Sequence, residues 1–499
     1  MVTKYQNYIN GKWVHPASDR HFEVINPFNQ EVIAECAKSS KEDTKEAIEA
    51  ARTSFDKGTW SEKLAGERAS IIWKLADLVE KNKERLATLE SKNQGKTIKY
   101  ARDSDLPTII DNLRFFAGVC RNLEGKSASE YSGMGTSMIK REPIGVVSAV
   151  VPWNYPLYIA VWKLAPALAA GNSVVIKPAS YTPLTLLEFA KLAGEAGIPK
   201  GVLNVITGEG HVVGAEMATN SKVDIITFTG DTETGKKVLE MSSRTVKKVV
   251  LELGGKAPMV VLPDADLGMV SEGSVVGACL NAGQDCTAVT RVYVQEKQHN
   301  QLVKMMVNVA KRFKLGNQLD EKTDMGPLMS EKQRERVESY VKLGLDQGAK
   351  LECGGSRPKG KLYEKGFFIE PAIFSNVSQN MKICQEEIFG PVISVIKYKT
   401  VDEAIKKAND VKYGLASSVY GTNVSDCMQV AKKLDFGTVW INEHGVLASE
   451  MPHGGFKQSG FGKELSMYGL DEYTRIKHVY IDLTKLNRRP WHYTVYGKP

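Results

Sequence analysis

Short apolar runs alternate with longer helix-like segments between residues 145 and 257. The apolar runs are rich in β-branched residues and cover 146–151, 173–176, 202–206, 224–228 and 248–251. The helix-like segments between them cover 158–170, 184–196, 212–219 and 232–241. Continuous apolar strands separated by helices are typical of a parallel sheet that is covered on both faces. The pattern therefore predicts an α/β unit of a nucleotide-binding type, although such a fold does not by itself define a function.

The rest of the chain predicts a helical N-terminal region and a second α/β unit. After Lys41 the chain is largely helix-like, with segments rich in Ala, Glu and Lys at 43–55 and 62–103. From about residue 258 to 449, strands such as 392–396 again alternate with helices such as 401–409. A chain of 499 residues exceeds what a single core usually spans, so we expect at least two domains. The predicted first domain joins 1–123 and 145–254, and the second covers 255–455.

Two further segments have no evident core of their own. Residues 124–144 are polar and broken by glycine, and then become strand-like at 137–140. The tail after Ile476 contains another strand-like run at 478–482. We expect a small β arm made of 124–144 and 470–490, whose exposed strand edges pair with a second copy of the chain.

Composition excludes several classes of function. The hydrophobic content of 42% and the charged content of 25% are those of an ordinary globular protein. The net charge of +8 comes from scattered lysine pairs, which indicate a solvated surface in preference to a nucleic-acid site. The chain has no apolar run long enough to span a membrane and no signal-peptide pattern, so we expect a cytoplasmic protein without membrane contact.

The cysteines and histidines do not form a structural framework. The seven cysteines are odd in number and widely spaced, no Cys-x-x-Cys occurs, and the eight histidines form no cluster with ligand spacing. Neither a disulfide network nor a metal site is expected from such spacing.

One cysteine, Cys286, has neighbours that suit a nucleophile. It follows an apolar segment and lies among Asn281, Gly283, Gln284, Asp285 and Thr287. A reactive thiol needs access for a substrate and a base or field that favours the thiolate. The alternative is a small buried side chain in a loop.

Glu252 is a candidate general base at the end of a buried-looking strand. Apolar neighbours raise the pKa of a carboxyl group, which suits a base near neutral pH. The following pair, Gly254 and Gly255, permits a sharp turn or close backbone approach. A salt-bridged glutamate at a strand end is the alternative.

Other polar residues follow predicted strands, where a parallel sheet places its ligands. Asn154 follows the strand at 146–151 and has an amide that can donate to an oxyanion, although a turn-forming asparagine is the alternative. Lys177 follows the strand at 173–176 and is either a ligand for cofactor hydroxyls or a surface lysine.

Residues 230–237 nearly form a P-loop. Lys237 stands where a P-loop has the Ser or Thr that binds Mg²⁺, which argues against a nucleotide hydrolase. The segment still leads from a strand into a helix, whose N-terminal amides can hold a dinucleotide phosphate. The glycines at 208–214 are spaced one residue too widely for a dinucleotide fingerprint.

Four motifs occur in order along the chain: Pro152-Trp153-Asn154, Leu251 to Gly255, Gly283 to Cys286, and Glu386 to Pro391. With these motifs the chain resembles the NAD(P)-dependent aldehyde dehydrogenase family over almost its whole length, from Tyr8 to Arg475. The resemblance implies a Rossmann-like cofactor domain, a second α/β catalytic domain and a small β oligomerisation arm. It also implies a cytoplasmic homodimer or homotetramer that oxidises a small-molecule aldehyde.

The resemblance also implies roles for three catalytic residues. Cys286 would attack the aldehyde, and Asn154 together with the backbone N–H of Cys286 would stabilise the oxyanion. After hydride transfer to the cofactor, Glu252 would activate the water that hydrolyses the thioester. Glu252 favours hydrolysis over the acylating or phosphorylating variants of this chemistry, and the three residues together argue against an inactive relative.

NAD or NADP is the cofactor that the resemblance implies. The residues expected near it are Lys177 at the adenosine ribose, Trp153 along the adenosine path, Gly230 and Gly235 at the pyrophosphate, Glu387 at the nicotinamide ribose and Phe389 beside the nicotinamide. Two positions differ from many relatives. Ser180 replaces a glutamate that favours NAD, which leaves NADP open, and Asp231 replaces a serine near the phosphates, where an acid caps a helix but does not attract an anion.

Within the family the chain is most similar to aminobutyraldehyde and betaine aldehyde dehydrogenases. Tyr155 and Trp162 match two positions of an aromatic box for a cationic substrate, whereas the other two positions fall on Leu280 and His453. Asp111 and Asp285 are candidate partners for a substrate amino group. We therefore expect a small or amino aldehyde such as 4-aminobutyraldehyde, with betaine aldehyde, succinate semialdehyde and glyceraldehyde as alternatives.

Overall fold

The computed structural model describes residues 2–123 and 128–497. The strands are β1 (Thr3–Tyr5), β2 (Asn7–Ile9), β3 (Lys12–Val14), β4 (His21–Ile25), β5 (Val32–Ala37), β6 (Gly135–Pro143), β7 (Val146–Val150), β8 (Ser173–Lys177), β9 (Leu203–Val205), β10 (Ile225–Thr229), β11 (Lys248–Glu252), β12 (Ala257–Val261), β13 (Val289–Gln295), β14 (Lys350–Cys353), β15 (Ala372–Ser375), β16 (Val392–Tyr398), β17 (Tyr413–Gly414), β18 (Ala416–Tyr420), β19 (Thr438–Ile441), β20 (Phe456–Lys457), β21 (Gly460–Phe461) and β22 (Thr474–Asp482).

The α-helices alternate with these strands. They are α1 (Lys41–Asp56), α2 (Ala65–Lys81), α3 (Lys83–Gln94), α4 (Ile98–Tyr100), α5 (Leu106–Val119), α6 (Pro156–Ala170), α7 (Leu184–Ala196), α8 (Ala215–Thr219), α9 (Thr232–Ser242), α10 (Leu267–Cys279), α11 (His299–Ala310), α12 (Glu331–Asp346), α13 (Lys382–Gln385), α14 (Val401–Asn409), α15 (Val424–Lys433), α16 (Ser466–Glu472) and α17 (Tyr493–Tyr496).

The predicted parallel sheet is confirmed. Its strand order is β21-β11-β10-β7-β8-β9-β2-β3. The five central strands, β7 to β11, run parallel to one another. Alternate side chains of β7 enter different cores: Val147 packs with α5, α6 and α7, while Val146 packs with α1. Such a strand is buried on both faces, which explains why most of its residues are apolar.

Both edges of this sheet come from distant parts of the chain. β2 and β3, within the first fourteen residues, extend it on one side, and the sequence did not predict them. On the other side β21 pairs antiparallel with β11, opposite Leu251 and Glu252. The chain thus returns from the second unit to the first after residue 455.

The second α/β unit is confirmed as well. Its sheet has the order β14-β15-β16-β13-β12-β18-β19, and all neighbours are parallel except β14 with β15. One hydrophobic core joins these strands to α10, α11, α12, α14 and α15. The carboxyl ends of β12, β18 and β19 carry loops on the same edge.

The arm is a two-stranded ribbon within the chain. β6 and β22 pair antiparallel over nine residues, from Gly135 with Asp482 to Pro143 with Thr474. The sequence did not predict this pairing within the chain. The pairing across subunits stays a prediction, for which β22 keeps its second edge among the described residues. Residues 124–127 of the predicted arm lie outside the described residues.

One predicted helix differs in detail. The segment predicted as a helix at 212–219 begins as a π-helical turn over Gly210–Gly214, and α-helix is present only from Ala215. Glycine has a low helix propensity, and it occupies both ends of this turn.

Neither a membrane-spanning helix nor a metal-binding cluster occurs among the described residues. No helix in 2–123 or 128–497 combines the length and apolar character needed to cross a bilayer. In the same residues, no group of three or more His, Cys, Asp or Glu side chains is placed to hold a metal ion.

Candidate active site

A tight turn presents Cys286 just before β13. Asn281, Ala282 and Gly283 have φ values of 50°, 56° and 71°, so three consecutive residues adopt the left-handed conformation. A Cβ at Gly283 would lie 2.3 Å from the carbonyl carbon of Gly390, so only glycine fits there. Cys286 emerges half-buried from this turn, whereas five of the seven cysteines are buried and Cys353 is also half-buried.

Both flanks of Cys286 are held by side chains. Asp285 Oδ1 accepts hydrogen bonds from the backbone N–H and the hydroxyl of Thr287, each at 2.7 Å. The other carboxylate oxygen, Oδ2, accepts from the Tyr155 hydroxyl at 2.7 Å. On the far side, the Thr287 carbonyl oxygen lies 2.6 Å from Nε2 of His444. The nucleophile turn, defined here as residues 285–287, is thus tied to α6 at one end and to the loop after β19 at the other.

Without a positive charge beside it, the Cys286 thiol stays largely protonated. Burial, followed by the negative charges of Asp285, Glu387 and Glu252, raises the pKa of Cys286 well above that of a free thiol. A thiolate forms in such a place only when a base removes the proton or a positive charge arrives beside it.

Glu252 ends β11 and is 5% exposed. Burial first, and the nearby carboxyl of Glu464 second, raise the pKa of Glu252 well above its ordinary value. Its Oε1 atom lies against Gly454 and has no hydrogen-bond partner among the described residues. An unpartnered carboxyl oxygen with a raised pKa is what a base that receives a proton from water requires.

Asn154 lies directly behind the nucleophile turn and is 3% exposed. Its Nδ2 donates to the carbonyl of Gln284 at 3.0 Å, and its own carbonyl accepts from Asn281 Nδ2 at 2.9 Å. An amide group carries two N–H donors, and one remains for a developing oxyanion.

Lys177 and Ser180 follow β8 at the carboxyl edge of the first sheet. Lys177 is 3% exposed, and its Nζ donates to the carbonyl of Pro178 at 3.0 Å. Burial lowers the pKa of Lys177 to about 8. The Ser180 hydroxyl donates to the Gly208 carbonyl at 2.9 Å. A buried amine that is bonded to a single carbonyl has donors left for ligand hydroxyl groups.

Glu387 and Phe389 lie where the two sheets meet. Glu387 Oε1 accepts from the backbone N–H of Gly255 at 2.9 Å, and a Cβ at Gly254 would lie 2.3 Å from Oε2. Burial raises the pKa of Glu387 to about 7. The Phe389 ring packs edge-on against Trp153, with 5.2 Å between ring centroids. The structure thus brings Glu387 to the Gly254-Gly255 turn and Trp153 against Phe389.

The start of α9 differs from a simple phosphate cradle. Asp231 caps the helix, and its Oδ1 accepts from the Thr234 N–H at 3.0 Å. Gly230 donates its backbone N–H to the carbonyl of Glu252 at 3.1 Å. A Cβ at Gly235 would lie 2.5 Å from Leu253, so Gly235 permits the helix to pack closely on the strand. Gly235 therefore has a packing reason to be glycine, independent of any phosphate.

An aromatic row extends from the nucleophile turn. Ring centroids are 5.9 Å apart for Tyr155 and Tyr158, 5.0 Å for Tyr158 and Trp162, and 5.1 Å for Trp162 and His453. Burial lowers the pKa of His453 to about 4, so its ring is neutral near pH 7. Tyr158 belongs to this row although the sequence did not single it out; its position three residues after Tyr155 on a helix was the available signal.

One face of Tyr155 is already occupied by a cation of the chain. Lys96 Nζ lies 4.3 Å from the Tyr155 ring centroid and 2.5 Å from Asp105, and all three side chains are buried. The Tyr100 hydroxyl lies 3.2 Å from that of Tyr155. Lys96 was not predicted from the sequence, because no residue near it in the sequence indicates that this lysine between two helices is buried.

The other proposed substrate residues are spread more widely. Leu280 lines a cavity of about 310 Å³ with Lys96, Tyr100 and Met325, and this cavity is not lined by Trp162. Asp111 is exposed and accepts a hydrogen bond from the Ser449 hydroxyl. Asp285 is the predicted acid that lies beside both the nucleophile and the aromatic row.

His444 was also missed by sequence analysis. It stands three residues after β19, at the carboxyl end of a parallel strand, which is the kind of position that pointed to Asn154 and Lys177. The same reasoning applied to the second sheet would have found it.

Comparison with known proteins agrees with this geometry. The model of the Aldehyde dehydrogenase family matches residues 13–479. The chain is 46% identical over 473 residues to betaine aldehyde dehydrogenase of Bacillus subtilis (strain 168), covering 95% of this chain and 96% of that protein. It is 43% identical over 482 residues to human retinaldehyde dehydrogenase 3, covering 96% and 93%.

Solved structures are similar over nearly the whole chain. Betaine aldehyde dehydrogenase of Staphylococcus aureus in complex with NAD+ has a TM-score of 0.95 and 39% identity, covering 97% of this chain and 96% of that chain. The NAD+ complex of aldehyde dehydrogenase from Bacillus cereus has a TM-score of 0.94 and 41% identity, covering 96% and 97%.

Proposed function

The chain belongs to the aldehyde dehydrogenase family, and we propose that it oxidises a small amino aldehyde, such as 4-aminobutyraldehyde, with Cys286 as the nucleophile. As a member of that family it is an oxidoreductase that uses NAD or NADP. The observation that carries the choice of substrate is the carboxylate of Asp285, held by Tyr155 and Thr287 beside the nucleophile.

The residues around the sheet edge fit a nicotinamide dinucleotide. Lys177 is a buried amine whose remaining donors suit ribose hydroxyl groups. Glu387 keeps an oxygen free beside the Gly254 backbone, where it can accept from a second ribose. Trp153 and Phe389 offer ring surfaces at the same edge. When bound, the cofactor would accept a hydride from the substrate.

The protein's own residues supply the remaining steps. The Cys286 thiol gives its proton to water, and the thiolate then attacks the aldehyde carbon. The resulting oxyanion of the thiohemiacetal is stabilised by the free N–H of Asn154 and the backbone N–H of Cys286. Loss of hydride converts the thiohemiacetal into a thioester. Glu252 then takes a proton from water, whose oxygen attacks the thioester carbon and releases the carboxylic acid with the Cys286 thiolate as leaving group.

Glu252 supports hydrolysis over transfer to another acceptor. Its buried, unpartnered oxygen and raised pKa suit the activation of a water molecule. An acylating or phosphorylating enzyme delivers the thioester to a thiol or to phosphate and needs no base for water at this place.

The aromatic row favours a primary ammonium over a trimethylammonium. A trimethylammonium group depends on ring faces alone, and each contact contributes roughly 0.5–2 kcal/mol. Lys96 already covers one face of Tyr155, and Leu280 lines a separate cavity. A primary ammonium can donate hydrogen bonds to Asp285 in addition. The same carboxylate repels succinate semialdehyde.

We expect Asp285→Asn to lower kcat/KM for 4-aminobutyraldehyde roughly 5- to 30-fold, equal to about 1–2 kcal/mol for a charge-assisted contact. Butyraldehyde, which has the same carbon chain without the amine, should change far less. Steady-state kinetics with both substrates and with betaine aldehyde measure this. Asp111→Asn, at the exposed acid bound to Ser449, is the matched control. A wild-type enzyme that prefers betaine aldehyde would refute the substrate proposal.

We also propose that the protein is a homodimer or homotetramer, associated through the outer edges of the β6–β22 ribbon. Ile476 and Ile481 on β22 are 63% and 43% exposed. Such exposed apolar side chains are unusual on a strand whose edge stays unpaired. Light scattering should therefore give at least twice the chain mass. Ile476→Lys should weaken the association, whereas Leu64→Lys, at another exposed apolar residue before α2, should leave it unchanged. A stable, active monomer would contradict this assembly.

A further inference from the structure

At the C-terminal flank of the nucleophile turn, the Thr287 carbonyl is held by a side chain from the loop after β19 of the second sheet. Nε2 of His444 lies 2.6 Å from the Thr287 carbonyl oxygen, and Nδ1 lies 3.0 Å from the hydroxyl of Ser418. Ser418 lies on β18 and is 0% exposed. The Trp440 ring of β19 packs against the imidazole, with 4.7 Å between ring centroids. The ring is thus fixed on three sides.

These partners define which nitrogen of His444 carries the proton. A carbonyl oxygen can only accept a hydrogen bond, so Nε2 must be the donor. In a neutral imidazole Nδ1 is then the acceptor, and the Ser418 hydroxyl donates to it. Desolvation of the ring lowers the pKa of His444, which keeps it in this neutral form near pH 7.

The second anchor of the turn acts on the other flank. Tyr155, which follows β7 of the first sheet, holds Asp285. His444, which follows β19 of the second sheet, holds Thr287, so each neighbour of Cys286 has a side-chain anchor. The Sγ atom must lie in line with the aldehyde carbon while Asn154 donates to the oxyanion. Displacements of about an ångström in such an arrangement cost roughly 100-fold in rate. Without His444 the Thr287 carbonyl loses this side-chain donor, and the turn keeps the side-chain hydrogen bonds that Asp285 makes with Tyr155 and Thr287.

We propose that His444 is a positioning residue that holds the nucleophile turn through the Thr287 carbonyl, so that Cys286 stays aligned with Asn154. The proposal rests on the role of Cys286 under the proposed function. His444 does not touch the substrate or take part in proton transfer. Its contribution is geometric and depends on one N–H donor at the Nε2 position.

The test compares two substitutions at His444. His444→Leu removes the donor, whereas His444→Gln retains an N–H near the position of Nε2. We expect His444→Leu to slow the pre-steady-state burst of NAD(P)H roughly 10- to 100-fold, and His444→Gln to recover most of the burst rate. The cofactor KM should change less than threefold in both. His299→Gln, at a buried imidazole on α11 bonded to Asn300, controls for the loss of a buried ring.

Alkylation of Cys286 by iodoacetamide, without cofactor or substrate and located by peptide mass, separates alignment from damage. A small reagent needs the thiol but not its alignment with Asn154, so the alkylation rate of His444→Leu should stay within about threefold of wild type. An unchanged burst, an equal loss in both variants, or alkylation lost together with the burst would each overturn the proposal. If His444→Leu does not fold, the burst is measured in two other variants. His444→Gln should retain the burst, and Ser418→Ala, which removes the hydrogen bond to Nδ1, should lose it. Failure of the proposed function is distinguishable, because Cys286→Ala would then keep its activity.

Discussion

Cys286→Ala is expected to abolish aldehyde oxidation, with a loss of at least roughly a thousandfold in kcat, while binding of the cofactor remains nearly intact. The thiolate forms the covalent bond to the substrate, and no other side chain of the turn can replace it. The cofactor contacts proposed for Lys177, Glu387 and Trp153 do not involve the sulfur atom. Turnover followed by NAD(P)H absorbance, and cofactor affinity followed by calorimetry, measure the two effects separately.

Cys353→Ala is the matched control for this experiment, since Cys353 is the other half-buried cysteine and lies on β14 at the edge of the second sheet. That variant should retain wild-type kinetics. Cys286→Ala with even a tenth of the wild-type rate would mean that the nucleophile has been misassigned.

Glu252→Gln is expected to separate the two halves of the reaction. The amide keeps the shape of the side chain but cannot take a proton from water, so deacylation should slow roughly 10²- to 10⁴-fold. Acylation requires no proton transfer to Glu252 and should change less. Rapid mixing should therefore show a burst of NAD(P)H of about one equivalent per active site, followed by a slow steady state. Equal slowing of both phases would argue against a base at this position.

The raised pKa of Glu252 adds a test by pH and by stability. Because the base is ionised only above its raised pKa, wild-type deacylation should fall on the acid side of that value, and Glu252→Gln should lose this dependence. Folding raises the pKa of this carboxyl, so its ionisation lowers the free energy of unfolding. This loss of stability grows as pH rises above the pKa that the carboxyl has in the unfolded chain. The glutamine amide does not ionise, so the thermal unfolding temperature of Glu252→Gln should be no lower than that of the wild type. Glu240→Gln, at an exposed acid on α9, should change neither property.

The first sheet was predictable because each central strand is buried on both faces. The middle of a strand such as β8, Val174 to Ile176, must then be apolar, and such a run is visible without knowledge of its partners. The three-residue strands β1, β2 and β3 have no such signal, since their pairing is set by contacts such as Tyr8 with Val205 far along the chain. The pairing of β6 with β22 was not predicted for the same reason. A strand edge visible in sequence does not reveal which edge it meets.

The candidate site divides in a similar way. Glu252 ends an apolar strand and Asn154 lies in the loop after one. In the structure Asn154 donates to the Gln284 carbonyl beside the nucleophile turn, and the charge of Glu252 helps to raise the pKa of Cys286. Lys96 could not be inferred in this way, because its importance comes from a tertiary neighbour, the Tyr155 ring. His444 does follow a strand, but its contact with the Thr287 carbonyl is visible only in the structure. Leu280 was assigned to the aromatic box from its position, but its side chain lines another cavity.

The pairing of β6 with β22 has a consequence for synthesis of the protein. β6 lies in the first third of the chain and β22 near its far end, so this ladder has a very high contact order. During translation β6 leaves the ribosome long before its partner exists, and its hydrogen-bonding edge stays open for that time. The outer strand β21 of the first sheet also arrives late. Nascent chains thus carry an unsatisfied β edge until β22 has been translated.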